Sequence, residues 1–249
     1  PLAMQRSGTF TKTVPTNDGP YLSFNPKITS KDDIGHQPDP DKIELMKSID
    51  PPLSSTWVIW EQRKQSEDSK DYADAMKQTV SFSTVKEFWA CWNHLPQPSM
   101  LLSGKKFIRD IDGQRHIIDS LAIFRKGVQP EWEDPENCKG AHFLVTLKPN
   151  LGGGLIDELW NNVVLGMVSD SIKPASMITG VRLVDKLAGA KPVLRIELWF
   201  NKFDQETMQG GQGDAYDLRG SFESCMRLKL DGQEKQVSWG RTDIKPHFA

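Results

Sequence analysis

The chain has 249 residues, and its 31 basic and 33 acidic side chains nearly cancel, leaving a formal charge of −2. That length suits one large domain with a loose end, and the near-neutral balance excludes a binder of long nucleic-acid duplexes that works by counterion release. A mean hydropathy of −0.50, without an apolar run near ~18 residues, argues against a membrane span, and three cysteines with no C-x-x-C pair argue for a reducing compartment over a disulfide scaffold.

Pro1, Leu2 and Ala3 ahead of Met4 read as a cloning scar and are set aside. Residues 1–50 are rich in Pro, Gly, Ser, Thr and Asp with no sustained period, which predicts a flexible N-terminal arm before a folded domain over 51–249. The first strand signal is Thr56 to Gln62, apolar on both faces at its start. A polar loop (Arg63 to Asp74) and a short strand near Thr79 to Phe82 follow. Thr84 with Glu87 makes a capping box, and Val85, Phe88, Trp89 and Trp92 recur at helical spacing. Asp112-Gly113 predicts a hairpin between Phe107–Ile111 and Arg115–Ile118. Further strands read at Ser120–Arg125, His142–Leu147, Met177–Lys186 and Val193–Phe200. A helix carries Leu155, Ile156, Leu159, Trp160, Val163, Val164 and Met167, behind a Gly152-Gly153-Gly154 triplet read as a flexible connector. A last helix spans Asp214 to about Leu228, and a last strand Gln236–Trp239. The fold class is therefore α+β, a mostly antiparallel sheet with helices on one face.

Enzyme signatures are absent from the sequence: there is no nucleophile elbow, phosphate-loop lysine motif, H-E-x-x-H or dinucleotide fingerprint. Five scattered histidines have no metal-ligand spacing, so no metal and no cofactor is expected. Trp132 lies in QPEWEDPE between two prolines, beside Glu131 and Glu133. Such a segment is neither a central strand nor a helix interior. Trp132 is either a loop anchor or an aromatic platform whose adjacent carboxylate suits an electron-poor ring. Between Ser176 and Lys202, the cations Arg182, Lys186, Lys191, Arg195 and Lys202 face only Asp185 and Glu197. Lys186 to Pro192 reads as a hairpin turn that gathers Lys186 and Lys191 at one sheet end, with Arg195 further along. This cluster is either a charged strand edge or a phosphate site.

TWVIW (56–60), STVKEFWACWNHL (83–95), GVQPEWED (127–134), KGAHFLVTL (139–147), the Trp160 helix and RIELWF (195–200) together resemble the messenger-RNA cap-binding subunit of eukaryotic translation initiation factor 4, the 4E family. The resemblance implies a single domain: a curved antiparallel sheet with about three helices on its convex face and the cap in its concave face. It implies that Trp132 stacks on the methylated guanine, that Glu133 accepts from the guanine N1–H and amine, and that the Trp132 N–H faces O6. Lys186 and Arg195 match its phosphate positions, with Lys191 a looser match because the turn is longer. The second stacking ring falls on Tyr72, 17 residues before Trp89, where the family has Trp. Phe143 replaces a family Trp, and the hairpin at 105–118 is atypical, marking a divergent member.

A second implied surface receives a partner helix bearing Y-x-x-x-x-L. It comprises Pro52, Leu53, Val85, Trp89, Asn161 (Leu in the family) and Leu165. Trp57, Trp60, Trp92, Trp160, Trp199 and Trp239 are assigned mainly to packing. The expected function is cytoplasmic binding of capped mRNA and recruitment of a scaffold subunit or binding protein for translation initiation, without catalysis, DNA or membrane. A repressor or storage homologue is the alternative suggested by Asn161. An enzyme or carbohydrate-type binder using Trp132 with Glu131/Glu133 is the alternative from another class.

Overall fold

The computed structural model describes residues 49–64, 75–229, 232–237 and 239–248. Most of the arm at 1–50 and the loop carrying Tyr72 lie outside the described residues.

Alternation in the first strand, β1 (Pro52–Arg63), decides its two burials. Trp57 and Ile59 enter the large core, while Val58 and Trp60 enter a smaller one on the opposite face. β2 (Met76–Thr84) pairs antiparallel along β1. The predicted hairpin is β3 (Phe107–Ile111) with β4 (Gln114–Arg125). Its turn places Asp112 at φ 51° and Gly113 at φ 79°, the positive-φ pair that a two-residue connection requires. Ion pairs from Lys106 to Asp185 and from Arg109 to Glu61 tie this hairpin to the sheet. β5 (Ala141–Leu147), β6 (Ile178–Lys186), β7 (Val193–Phe200) and β8 (Thr242–Pro246) complete a curved eight-stranded sheet of order β2-β1-β4-β6-β7-β5-β8, with β3 on β4. All seven strand pairings are antiparallel.

The last strand is thus Thr242–Pro246, not Gln236–Trp239. The chain after residue 227 folds back instead: Lys235 N–H donates to the Arg227 carbonyl at 2.8 Å and Lys229 N–H to Gln233 at 2.8 Å. The Val237/Trp239 alternation reflects two anchors packed on the core rather than a ladder.

Helices cover the large-core face. α1 (Val85–Trp92) is capped by Thr84, which accepts from Glu87 N–H at 3.2 Å. The Glu87 carboxylate returns chiefly to Ser83, taking its N–H at 2.7 Å and its hydroxyl at 3.0 Å, with a weaker pull from the Thr84 N–H. The reciprocal box is therefore extended to the residue before the cap. α2 (Ser99–Leu102) and α4 (Gln205–Gln209) are too short to leave a periodic signal, so the helices number five rather than about three among the described residues. α3 (Gly153–Val168) and α5 (Asp214–Arg227) are the long pair. The glycine triplet is a tight helix start rather than a flexible connector. Gly152 sits at φ 86°, and a Cβ on Gly153 would come within 2.8 Å of the Ser99 Cβ. Phe143 is fully buried, 4.7 Å from Phe200 and 6.0 Å from Phe222 between ring centroids.

Candidate functional site

The face of the sheet opposite the helices is assembled row by row. Strand pairing sets Gly180, Trp199, His142 and Lys245 in one row across β6, β7, β5 and β8. The next row is Ala122, Arg182, Glu197 and Leu144, and the next Ser120, Val184, Arg195 and Thr146. Because side chains alternate faces at every residue, these rows point together. From these rows Trp199, His142, Lys245, Arg182, Glu197, Val184 and Arg195 line a cavity of about 560 Å³ that also takes in Gln62, Pro130, Glu131, Trp132, Glu133 and Lys186.

The rim residue Trp132 is 48% exposed, although the loop carrying it is rigidly built. Fully buried Asn137 donates its amide to the carbonyls of Gln129 (2.8 Å) and Glu131 (2.9 Å). Asp134 accepts the N–H of Gln129 (2.8 Å) and of Glu136 (2.9 Å). Behind the indole lie two imidazoles: His247 at 5.9 Å and 12°, and His142 at 6.4 Å and 28°. His142 in turn stacks on Trp199 at 5.2 Å and 14°. Burial pushes the His142 imidazole down to about 3, helped by His247, Lys245 and Arg182. Burial also lowers His247, against the opposing pull of the Asn137 carbonyl and Glu133. Both rings are neutral at physiological pH.

The floor is a polar network. Arg182 donates Nε–H to Ser120 Oγ at 3.1 Å and bonds Gln62 Oε1, and its Nη1 stands 3.9 Å from Glu197. Glu197 Oε2 accepts the Trp199 indole N–H at 3.2 Å. Gly180 makes room for this arrangement. A Cβ there would meet the Phe124 ring at 2.4 Å, and that ring packs edge-on to Trp199 at 5.4 Å.

Of the predicted site residues, Trp132, Glu133, Lys186 and Arg195 share the one cavity. The Arg195 Nε–H is buried and has no hydrogen-bond partner among the described residues. Lys191 lies in the exposed turn after β6, away from the cavity lining, because β6 ends at Lys186 and β7 begins only at Val193. Tyr72 is outside the described residues. Trp199, assigned to packing, is buried and also lines the floor, as do Arg182 of the basic cluster and the unanticipated His142, Glu197 and Lys245. Alternation in R-I-E-L-W was the available signal, since placing Arg195 in the site places Glu197 and Trp199 there too. His142 and Lys245 meet only through the β5–β8 pairing, which local sequence does not encode.

On the helical face, Leu53, Trp89 and Leu165 are half-buried against the core, Val85 opens α1, and Pro52 is exposed at the start of β1. Asn161 is buried beneath them rather than offered at the surface. It accepts the Trp92 indole N–H at 3.1 Å and donates to Gln97 Oε1 at 3.0 Å. Among the described residues, no cluster of His, Cys, Asp or Glu has the makings of a metal site, and no helix is long and apolar enough to cross a membrane.

Residues 52–231 match the family described as eukaryotic initiation factor 4E. The chain is 30% identical over 182 residues to eukaryotic translation initiation factor 4E of Saccharomyces cerevisiae, covering 73% of each chain. It is 32% identical over 133 residues to translation initiation factor NCBP of Triticum aestivum, covering 53% of this chain and 50% of that one. Among solved structures, Ascaris suum eIF4E-3 with an m2,2,7G cap superposes with a TM-score of 0.55 at 20% identity, over 79% of this chain and 98% of that one. Caenorhabditis elegans eIF4E-3 with the 4E-binding protein Mextli gives 0.55 at 18%, over 73% and 89%. At these identities the structural likeness carries the fold: the same curved antiparallel sheet backed by helices. With seven of the eight strands, both long helices and the cavity loop inside the matched span, the chain belongs to the eukaryotic initiation factor 4E family.

Proposed function

We propose that this chain binds the 7-methylguanosine cap of messenger RNA and recruits a scaffold subunit for translation initiation, in the cytoplasm and without a catalytic step. The observation that carries this reading is a single cavity with an exposed indole and a carboxylate at one end and two cations at the other: Trp132 and Glu133, then Lys186 and Arg195. N7-methylation leaves the guanine ring positively charged. A stacked indole contributes roughly 0.5–2 kcal/mol of cation–π attraction, and base–aromatic stacking about 1–3 kcal/mol. The Glu133 carboxylate accepts from the guanine N1–H and exocyclic amine, a donor pair that adenine does not present. Lys186 and Arg195 hold the phosphates. The orphaned Arg195 Nε–H supports this role, because a buried donor without a partner costs about 1–3 kcal/mol until an acceptor arrives. Tyr72 supplies the second stacking ring.

The partner surface is the stripe of Pro52, Leu53, Val85, Trp89 and Leu165, which receives an amphipathic helix bearing Y-x-x-x-x-L. Asn161 acts from beneath by holding Trp92, one turn from Trp89. Solved complexes of family members with cap nucleotides and 4E-binding proteins support both halves of the reading.

The test is a tryptophan-fluorescence titration with m7GTP against GTP. Strong quenching by m7GTP and little by GTP is expected. Equal response to both nucleotides, or unchanged m7GTP binding in Trp132→Ala, overturns the reading.

A further inference from the structure

We infer that the C-terminal segment is part of the cap site, with His247 and His142 acting as a positioning pair that holds the Trp132 loop for stacking. This rests on the cap-binding reading of the same cavity.

The bonding order along the pair is dictated by its ends. The Asn137 carbonyl only accepts, so His247 Nδ1, 2.9 Å away, carries the proton. Neutral His247 then presents a bare Nε2, and the partner at 3.0 Å, His142 Nδ1, must donate to it. Each ring is thereby held in one tautomer, and the two hydrogen bonds run from the sheet (His142) through the C-terminal segment (His247) to the loop (Asn137). Asn137 is fully buried, and its side chain pins the backbone on both sides of Pro130 through Gln129 and Glu131. The bond from His247 therefore reaches the frame on which Trp132 is mounted.

His247 is itself held from two directions. Its N–H donates to the Gly140 carbonyl at 3.1 Å, one step beyond the Ala141–Pro246 pair. Gly140 runs close against β7, with no room for a side chain, since a Cβ there would lie 1.8 Å from the Phe200 carbonyl oxygen. His142 is 3% exposed and stacked on Trp199. The His247 ring, nearly parallel to Trp132, braces an indole that is otherwise half in solvent. A stacking platform works only when its plane is fixed before the ligand arrives, because a mobile ring must lose its rotamer freedom on binding.

The experiment uses the full chain and m7GTP, with GTP as the comparison. His247→Phe keeps a ring against Trp132 but ends both hydrogen bonds, and His247→Ala removes the brace entirely. About a tenfold loss of m7GTP affinity is expected for His247→Ala and a smaller loss for His247→Phe. GTP binding, which uses the phosphate end, should be unchanged, and added imidazole should restore affinity to His247→Ala. Wild-type affinity in both variants, or equal losses for m7GTP and GTP, overturns the inference. Imidazole ¹⁵N spectra of the unsubstituted chain give a second test: Nδ1–H tautomers at both His142 and His247 are expected, and an Nε2–H tautomer at His247 overturns the order of bonds. If Trp132→Ala retains m7GTP, the cap-binding reading fails; if it loses m7GTP while the His247 variants do not, only the positioning role fails.

Discussion

The two faces of the sheet are built from alternate residues of the same strands, yet they solve different problems. The helix-covered face is a continuous apolar core in which Trp57, Trp160 and Phe143 are almost wholly buried. The opposite face has a small core of Val58, Trp60, Met76, Ala122, Phe124, Val128 and Trp199. Beyond it the residues become Gln62, Ser120, Arg182 and Glu197, satisfied by one another instead of by packing. One face provides stability, while the other keeps polar groups at an open cavity at some cost in stability. A polar floor with an orphaned donor at Arg195 is less favourable than apolar packing but is ready for a ligand.

Substitutions on each side should therefore separate. Phe143→Ala, on the helix-covered face, should cost about 3–5 kcal/mol of unfolding free energy and leave m7GTP affinity of the folded protein within twofold, as read by urea melts and titration. Trp132→Ala should do the reverse, with roughly a hundredfold weaker m7GTP binding at an unchanged melting temperature. A large melting shift in Trp132→Ala would erase the contrast between the faces.

Acid should act on the cavity face first. His142 has a folded-state pKa of about 3 against an ordinary 6.5. The unfolded chain therefore binds a proton that the folded chain refuses as pH falls from 6.5 toward 3. Stability from this group is complete above 6.5 and declines below it by about 1.4 kcal/mol per pH unit. Between pH 7 and 5 it contributes a loss of about 2 kcal/mol, measurable by denaturant melts and reduced in His142→Gln. Smallest of all should be Lys191→Ala, which changes m7GTP affinity by less than about twofold because an exposed charge outside the cavity is screened. Lys186→Ala and Arg195→Ala, measured alongside it, should each lose several-fold.

Much of this was legible before any coordinates. The helix over 85–92 carried its cap and its apolar stripe, the Asp112-Gly113 hairpin its turn chemistry, and Trp132 its odd setting between two prolines. Other features were not legible, for reasons specific to each. The strand at 242–246 has no strong alternation of its own and exists because β5 offers an open edge. Asn161 occupies a helical position that reads as surface, and burial became possible only because Trp92 and Gln97 meet its amide. Spacing along the turn groups Lys191 with the phosphate cations, whereas in the fold it is exposed in that turn and is not among the residues lining the cavity.

Fold class, most core-facing residues and the adjacency of Trp132 to Glu133 are written in the local sequence. These are local matters of periodicity and composition. It takes the folded sheet to expose the Trp132 indole, to put Arg182, Glu197, Trp199 and Lys245 in one cavity with Lys186 and Arg195, and to line up His142, His247 and Asn137 behind Trp132. Those groups lie up to 110 positions apart in the chain, and they meet through strand pairing, a register set by the whole sheet rather than by any one segment.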